Sequence, residues 1–266
     1  MQLIDAHAHI FPDALAAKAS VSVGNWYNIM PHTDATSHNL IEHEKAVGAC
    51  KCLVCSPALK PHNVPTINTY ISNECKLHQE FVGFGTMHRD FEDYEEELDR
   101  VVSLGLKGIK FHHDMQGFYI DDPKMMPIYR AIADRNLALL LHMGDSRLDF
   151  SSPGRLAVIA RQFPNLTIIG AHFGGYRRWD EVMSIPVFDN VYFDTSSSLA
   201  FLEPEKARAL IEKFGSDHFF WGSDFPMWSP REEWQRFLSL GFDDETNQKI
   251  GYENFARVVL EKVKCE

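Results

Sequence analysis

The sequence predicts an α/β protein in which eight strands and eight helices alternate to form a (β/α)8 barrel, the TIM-barrel architecture. Eight short apolar runs recur along the 266 residues, helix signals lie between them, and polar side chains collect where many runs end. Strands that alternate with helices at about thirty residues per unit form a parallel sheet, and eight such units close a barrel. We therefore expect residues 1–266 to form a single domain.

The strand-like runs begin with LIDAHAHI at Leu3. The seven that follow are CKCLVCSP, FVGFGT, KGIKFHH, LALLLHM, LTIIGAH, NVYFDTS and HFFWGSDFP. A doubly wound open sheet would also alternate strands with helices. That architecture is disfavoured because no G-x-G-x-x-G turn follows an early strand, and because the polar residues are not confined to one switch point.

The helix signals are clearest in two segments. In SSPGRLAVIARQFPN, Ser152 can cap a helix that has Pro153 in its first turn. In EPEKARALIEKFG, a helix begins at Pro204 and ends at Gly215. The apolar stripes that we expect these helices to bury are Leu156, Ile159, Ala160 and Phe163, and Ala207, Leu210, Ile211 and Phe214.

The longest connection, residues 11–36, follows the first strand and carries Trp26 and Tyr27. A long connection at this end of a barrel is typical of a lid over a pocket. Aromatic residues that pack a surface loop are an equally good interpretation.

Composition and charge narrow the function classes. A net charge of −11 and a pI near 5.6 argue against binding to nucleic acid or to an anionic membrane, and favour a small-molecule substrate. No apolar run approaches the roughly 18 residues of a membrane span, and no signal-peptide pattern precedes the first strand. The five cysteines form an odd set without framework spacing, as expected of reduced thiols. We therefore expect a cytoplasmic protein.

Histidines recur at the strand ends. His7 and His9 are two residues apart, so in a strand both imidazoles point to the same side, as does Asp5. Asp5 can orient the two imidazoles, or simply accept a hydrogen bond from nearby main chain. The further polar residues at strand ends are His112, His113, His142, His172 and Asp224. Imidazoles and a carboxylate that converge on a barrel mouth suit a divalent ion such as Zn²⁺.

The H-x-H of DAHAHIFPD, the histidines of LHMGD and AHFGG, and the aspartate of FWGSDFP together resemble the amidohydrolase superfamily. In particular they resemble its amidohydrolase-related branch, which includes aminocarboxymuconate semialdehyde decarboxylase, other decarboxylases and hydrolases. The resemblance spans nearly the whole chain. It implies a metal-dependent barrel whose metal ligands are His7, His9, His142 and Asp224. In such relatives the position of His172 either polarises the metal-bound water or substrate, or binds a second metal.

Asp224 and His172 are the predicted catalytic residues, since a metal-ligating carboxylate and a nearby imidazole can both move protons. Some relatives carry a carboxylated lysine on the fourth strand that bridges two metals, but in this branch the lysine is usually not a bridge. We therefore expect one divalent ion, Zn²⁺ by preference, with a second near His172 as the alternative. Lys110 is then a substrate-binding residue or part of a buried ion pair.

We expect substrate contacts from His112 and Arg177 as well as from the fourth-strand lysine. Arg147, Arg177 and Arg178 all follow strand ends, where a guanidinium can bind a substrate carboxylate through two hydrogen bonds, although loop arginines are usually solvated. Family members often have proline after the fourth-strand histidine, whereas this chain has His113. The substrate contacts of that loop therefore depart from the family pattern.

The predicted function is a metal-dependent hydrolase that activates water against an amide, ester or lactone bond of a small molecule. The alternative is a non-oxidative decarboxylase of an aromatic or dienoic acid, which needs the same metal ligands. A barrel that binds a metal or ligand without turnover is a third hypothesis, disfavoured by the intact ligand set. A homodimer is expected only from the family resemblance.

Overall fold

In the computed structural model of the protein, which describes residues 2–261, eight parallel strands follow one another in chain order around a barrel. Main-chain hydrogen bonds from Ala6 N to Trp221 O (2.9 Å) and from His9 N to Phe225 O (2.8 Å) join the segment after the last strand to the first. The predicted (β/α)8 barrel is confirmed. The strands are β1 (Ile4–His9), β2 (Lys51–Cys55), β3 (Phe81–Thr86), β4 (Gly108–Phe111), β5 (Ala138–Leu141), β6 (Ile168–Gly170), β7 (Val191–Asp194) and β8 (Phe219–Phe220).

Helices lie between the strands, and several strand connections carry an additional short one. Within residues 2–261 no helix combines the length and apolar character needed to cross a membrane. The α-helices are α1 (Asp13–Tyr27), α2 (Ser37–Val47), α3 (Val64–Leu77), α4 (Tyr94–Ser103), α5 (His113–Gln116), α6 (Met125–Asp134), α7 (Pro153–Gln162), α8 (Trp179–Val182), α9 (Pro204–Phe214), α10 (Pro230–Leu238) and α11 (Asp244–Gln248). Two π-helical segments, Lys249–Glu253 and Ala256–Glu261, follow α11.

The core has two layers because successive strand residues face opposite sides. On β5, for example, Leu140 packs inside the barrel, whereas Leu139 and Leu141 pack against the helices. The interior is apolar, and Val258 and Val259 of the second π-helical segment pack against it. The polar site is therefore confined to the mouth at the carboxyl ends of the strands, where barrels of this class build their active sites.

The regular strands are shorter than the predicted runs at this mouth. His112, His142, His172 and Asp224 all lie just beyond the last residue of their strands. His172 and Asp224 have left-handed main-chain angles, with φ of 62° and 61°. Such angles are rare for residues other than glycine and cluster at functional sites. The chain thus leaves the sheet abruptly and turns these side chains toward the mouth.

The connection over residues 11–36 is not an irregular loop but contains the fifteen-residue helix α1. Its buried side consists of Ala16, Ser20 and Gly24, which are spaced by four residues. These small residues allow close packing: a Cβ on Gly24 would lie 2.5 Å from the main-chain oxygen of Ile29. Because serine and glycine add nothing to an apolar stripe, hydrophobic periodicity does not reveal this helix.

The two helices predicted with the clearest signals begin where expected. α7 starts at Pro153 and α9 starts at Pro204. The residues of both predicted stripes are buried, and Gly215 ends α9 with a φ of 88° that suits glycine. Ser152 occupies the N-cap position of α7, but its side chain makes no capping hydrogen bond. The prolines and the one-sided apolar patterns therefore suffice to place these helices.

Candidate metal centre

Three predicted metal ligands converge at the mouth of the barrel. His7 Nε2 lies 3.2 Å from His9 Nε2, and Asp224 Oδ1 lies 3.6 Å and 3.3 Å from these two nitrogens. β1 supplies both imidazoles, and the turn after β8 supplies the carboxylate. We call His7, His9 and Asp224 the ligand triad.

The hydrogen bonds on the far side of each imidazole fix which nitrogen faces the centre. His7 Nδ1 lies 2.9 Å from Asp194 Oδ2, and His9 Nδ1 lies 3.2 Å from the main-chain oxygen of Cys55. A carboxylate and a carbonyl can only accept, so both Nδ1 atoms carry a proton; the Nε2 of His7 faces the centre with its lone pair, and the Nε2 of His9 does so once the proton that it shares with Asp224 has left. Two lone pairs and a carboxylate oxygen that face one another attract a cation, and the triad therefore fits a divalent metal ion.

The charge states of His7 and Asp224 fit a metal, whereas His9 must lose a proton to bind one: although burial opposes the rise, Cys55 and Asp224 raise the pKa of His9 to about 10. Burial, assisted by the nearby Lys110 ammonium, lowers the pKa of His7 to about 4, so this imidazole is neutral at physiological pH. Burial raises the pKa of Asp224, but His7 and His9 outweigh this effect and hold the pKa of this carboxyl well below its usual range. A neutral imidazole and an ionised carboxylate are the forms that coordinate metals.

Asp224 is held in position from two directions. Its main-chain N–H donates to His7 O at 2.8 Å, and its Oδ2 accepts a hydrogen bond from the Ser197 hydroxyl at 2.5 Å. These contacts stabilise a left-handed main-chain conformation that would otherwise cost of order 1–3 kcal/mol. The carboxylate therefore reaches the triad with a fixed orientation.

Asp5 lies behind the triad and is completely buried. Its carboxylate accepts hydrogen bonds from the main-chain N–H groups of His7 and Ser223, both at 2.9 Å, and from the Ser223 hydroxyl. Asp5 thus binds main chain on both sides of the seam between the first strand and the segment after the last one. It fixes the backbone that carries His7 and Asp224, and does so without contacting an imidazole ring.

His142, the fourth predicted ligand, contacts other groups. Its Nδ1 lies 3.0 Å from His172 Nε2, and its Nε2 lies 3.0 Å from Gly144 O and 3.1 Å from the Tyr27 hydroxyl. The His172 ring in turn stacks on His7 at a centroid distance of 5.3 Å. His142 is therefore connected to the triad through His172, and its direct coordination of the metal stays a prediction.

A second group of potential ligand atoms lies beside His142. His112, Asp114 and His142 each place one such atom within 4.8 Å of the others, and all three residues are buried. The rings of His112 and His142 stack at 4.0 Å, and the Tyr27 hydroxyl lies 2.9 Å from His112 Nε2. These three residues are the candidate ligands for the second ion that the sequence predicts, as an alternative, near His172. That second ion stays a prediction.

The three predicted substrate-binding residues lie in different surroundings. His112 lines the cavity described below. Lys110 is fully buried, and its Nζ lies 3.0 Å from His7 Nε2. Arg177 stacks its guanidinium over the ring of Phe201 at 3.8 Å and borders a separate surface depression. The structure thus brings one of the three into the cavity wall.

A cavity of about 390 Å³ opens onto the centre. Its polar end includes His9, His172, Ser197 and Asp224, whereas α1 covers it with Val23, Trp26 and other apolar side chains. Volumes of this size are typical of small-molecule sites. The expected covering of a pocket by residues 11–36 is therefore observed, with a helix as the cover.

Sequence reasoning missed Asp194, Cys55 and the site contacts of Tyr27. Asp194 follows the apolar residues of NVYFDTS at the end of β7, so its position as a strand-end carboxylate was a usable signal. Cys55 ends β2, with its Sγ 3.6 Å from His9 Nδ1. Tyr27 reaches the site from α1, and no local pattern indicates which side chains a covering helix turns inward.

Comparisons with known proteins identify the family and the fold of the chain. The sequence model of a family described as amidohydrolase matches residues 4–259. A similar solved structure is a 5-carboxyvanillate decarboxylase from Novosphingobium aromaticivorans, complexed with manganese and 4-hydroxy-3-methoxy-5-nitrobenzoic acid. It has 17% identity and a TM-score of 0.74, and the alignment covers 97% of this chain and 95% of that one.

Two further structures differ in their stated chemistry. One is a 2,6-dihydroxybenzoate decarboxylase complexed with 2,6-dihydroxybenzoate, with 18% identity, a TM-score of 0.72, and coverage of 97% and 98%. The other is a probable 2-pyrone-4,6-dicarboxylic acid hydrolase from Acinetobacter baumannii, with 17% identity, a TM-score of 0.73, and coverage of 97% and 99%. At these identities the likeness shows a common fold.

Proposed function

Because this chain belongs to the amidohydrolase family, we propose that it is a divalent-metal-dependent decarboxylase that removes the carboxyl group of a small aromatic acid as CO₂. The observation that carries this proposal is the cavity, whose apolar and aromatic walls end at His9 and Asp224 of the ligand triad. Side chains such as Trp26 and Tyr176 suit a flat ring, and the triad end suits a carboxylate held by a metal ion. Two of the three similar structures described above are decarboxylases of benzoic acids.

The ligand triad would hold the metal through His7 Nε2, His9 Nε2 and Asp224 Oδ1. When bound, the ion would supply a Lewis acid that binds and polarises a substrate oxygen. Mixed imidazole and carboxylate donors suit Zn²⁺, which we expect from the sequence, and also Mn²⁺, which is present in one similar structure. The proposal is therefore for a divalent ion, with Zn²⁺ kept as a prediction.

The apolar walls would promote loss of CO₂ by excluding water. As the bond between the ring carbon and the carboxyl carbon breaks, its electron pair stays on the ring carbon and the localised carboxylate charge disperses. Replacing the solvation shell of a carboxylate by a fixed protein environment favours such a step. A proton must then reach the ring carbon, so that the acid yields CO₂ and the decarboxylated ring.

We assign that proton transfer to His172. Of the two residues predicted to be catalytic, Asp224 has both oxygens engaged, one with the triad imidazoles and one with Ser197. His172 lines the cavity, its Nδ1 lies 2.9 Å from the hydroxyl of Ser196, and its Nε2 lies 3.0 Å from Nδ1 of His142, so Nε2 must leave His142 to deliver a proton to the ring. An imidazole at this position can deliver a proton to a ring bound above the triad.

Hydrolysis, the function preferred from the sequence, is the second candidate. It is favoured by the likeness to the probable 2-pyrone-4,6-dicarboxylic acid hydrolase and by the polar end of the cavity, where His172 and Asp224 could take a proton from an attacking water. Decarboxylation is the better supported of the two because the remaining walls are largely apolar. The family and the metal-binding geometry are common to both candidates.

A substrate screen distinguishes the candidates. Protein loaded with Zn²⁺ or Mn²⁺ is incubated in D₂O with hydroxybenzoic acids labelled with ¹³C in the carboxyl group, and with esters, lactones and amides in parallel. We expect labelled CO₂ and a product with one deuterium on the carbon that lost the carboxyl group. Cleavage of a lactone, ester or amide without CO₂ from any acid would favour the hydrolase. No turnover of either class would favour a binding protein.

A further inference from the structure

The cavity has an apolar wall in addition to its polar end. α1 and the segment after it supply part of this wall, the loop after β2 supplies another part, and two methionines complete it. Trp26 and Leu59 remain 38% and 43% exposed, so a ligand that covered them would remove apolar surface from water. The residues of this wall are Val23, Trp26, Ile29, Leu59, Met115 and Met227.

The cavity wall carries no lysine or arginine among residues 2–261. The loop arginines proposed to bind a carboxylate are engaged elsewhere. Arg147 donates to both oxygens of Asp145 and to Trp26 O, and Arg178 donates to both oxygens of Glu181. Arg177 stacks over Phe201. A second carboxylate on the substrate would therefore find no lysine or arginine in the cavity wall as described.

The energetics disfavour a doubly charged substrate. A carboxylate that enters an apolar site without a partner loses its hydration and gains little in return. The chain also carries a net charge of −11, which repels a dianion more strongly than a monoanion. The ligand triad would hold one metal ion, and the carboxyl group that is to be lost would occupy it.

We propose that the apolar wall is a substrate subsite that takes an uncharged, apolar substituent, so that the substrate is a monocarboxylic aromatic acid. This inference rests on the proposed function, because it assigns the reacting carboxylate to the triad. A cavity of about 150 Å³ can already bind benzene, so a cavity of about 390 Å³ has room for a ring and a substituent of several carbon atoms.

The test uses inert probes, so that binding is measured independently of turnover. In 2-nitroresorcinol the nitro group stands in for the reacting carboxylate and cannot leave as CO₂. Calorimetry on the Mn²⁺-loaded protein compares this compound with its 5-propyl and 5-carboxy derivatives. We expect the propyl probe to bind at least tenfold more tightly than the carboxy probe, and more tightly than the unsubstituted compound.

A pair of variants locates the effect. Leu59→Arg places a cation at the exposed edge of the subsite. It should lower the preference for the propyl probe, measured as the ratio of its affinity to that of the carboxy probe, at least tenfold. Leu77→Arg makes the same change at a leucine on α3 that is 72% exposed and outside the cavity, and should leave the preference unchanged. If Leu59→Arg leaves this ratio of affinities unchanged, the proposed subsite is wrong.

Equal binding of the two derivatives to the wild-type protein, or no binding of either, would also overturn the inference. Failure of the proposed function would look different. In that case the propyl probe would still bind preferentially, but no acid in the substrate screen would release CO₂.

Discussion

His9, on the first strand, and Asp224, after the last strand, lie 3.3 Å apart between Nε2 and Oδ1. The contact depends on closure of the barrel, because the main chain after β8 bonds directly to β1. The first and last elements of the chain therefore build one centre together. We therefore expect a change that weakens the contacts between β1 and the segment after β8 to lower the affinity for the metal before it lowers the stability of the barrel.

Asp194 should control the affinity of the centre for its metal. Its Oδ2 accepts from His7 Nδ1 at 2.9 Å, and its Oδ1 accepts from the main-chain N–H of His172 at 3.0 Å. We expect Asp194→Asn to weaken metal binding by roughly 10- to 100-fold, because the tautomer and orientation of His7 are no longer fixed. Competition with a chromogenic chelator measures the affinity. The exposed Asp189→Asn is the matched control, and equal affinities for both variants would refute the role.

His172 should affect turnover more than metal content. His172→Asn suits the left-handed main chain at this position, which asparagine tolerates, and removes the imidazole. We expect the turnover number of the identified substrate to fall roughly 100-fold or more, with metal content near that of the wild type. The exposed His62→Asn is the control. Loss of the metal together with activity would show instead that His172 is needed to hold the ion.

Glu233 should make stability depend on pH. This buried residue of α10 bonds Arg236 through Oε1, and burial raises the pKa of Glu233 to about 7 although Arg236 acts against the rise. The folded carboxyl keeps its proton to higher pH than the unfolded one, whose pKa is 4.5. The free energy of unfolding therefore falls as the pH rises from about 4.5 through about 7. A shift of this size corresponds to roughly 3 kcal/mol.

Glu233→Gln should remove most of the loss of stability that the wild type shows as the pH rises. Urea unfolding at pH 5 and pH 8 measures the free energy of unfolding, and the difference between the two values should be smaller in Glu233→Gln than in the wild type. The neighbouring Glu232, whose side chain is 57% exposed, provides the control variant Glu232→Gln, which should behave as the wild type does. Identical pH dependence in both variants would contradict the assignment.

The barrel could be predicted because its signals are local. Proline at a helix start, as at Pro153 and Pro204, and apolar runs of strand length are properties of short segments, and the structure confirms them. Helix α1 could not be predicted because its buried residues are small, whereas hydrophobic periodicity depends on large apolar side chains.

The site was predictable in part for a related reason. Side-chain alternation on β1 places His7 and His9 on one side, and barrel topology brings Asp224 to the same mouth. The direction of a side chain beyond a strand end follows no such rule. His142 turns toward His172 and Tyr27 through its own torsions and the packing of α1, which only the folded chain determines.

Metal content is the measurement that tests the central claim most directly, namely that the two histidines of β1 and the aspartate after β8 hold one divalent ion. Elemental analysis compares purified wild-type protein, the double variant His7→Ala/His9→Ala, and a control in which the exposed His38 and His62 are both changed to alanine. We predict about one ion per chain in the wild type and the control, and less than about one tenth of that in the double variant. Full metal content in the double variant would contradict the account.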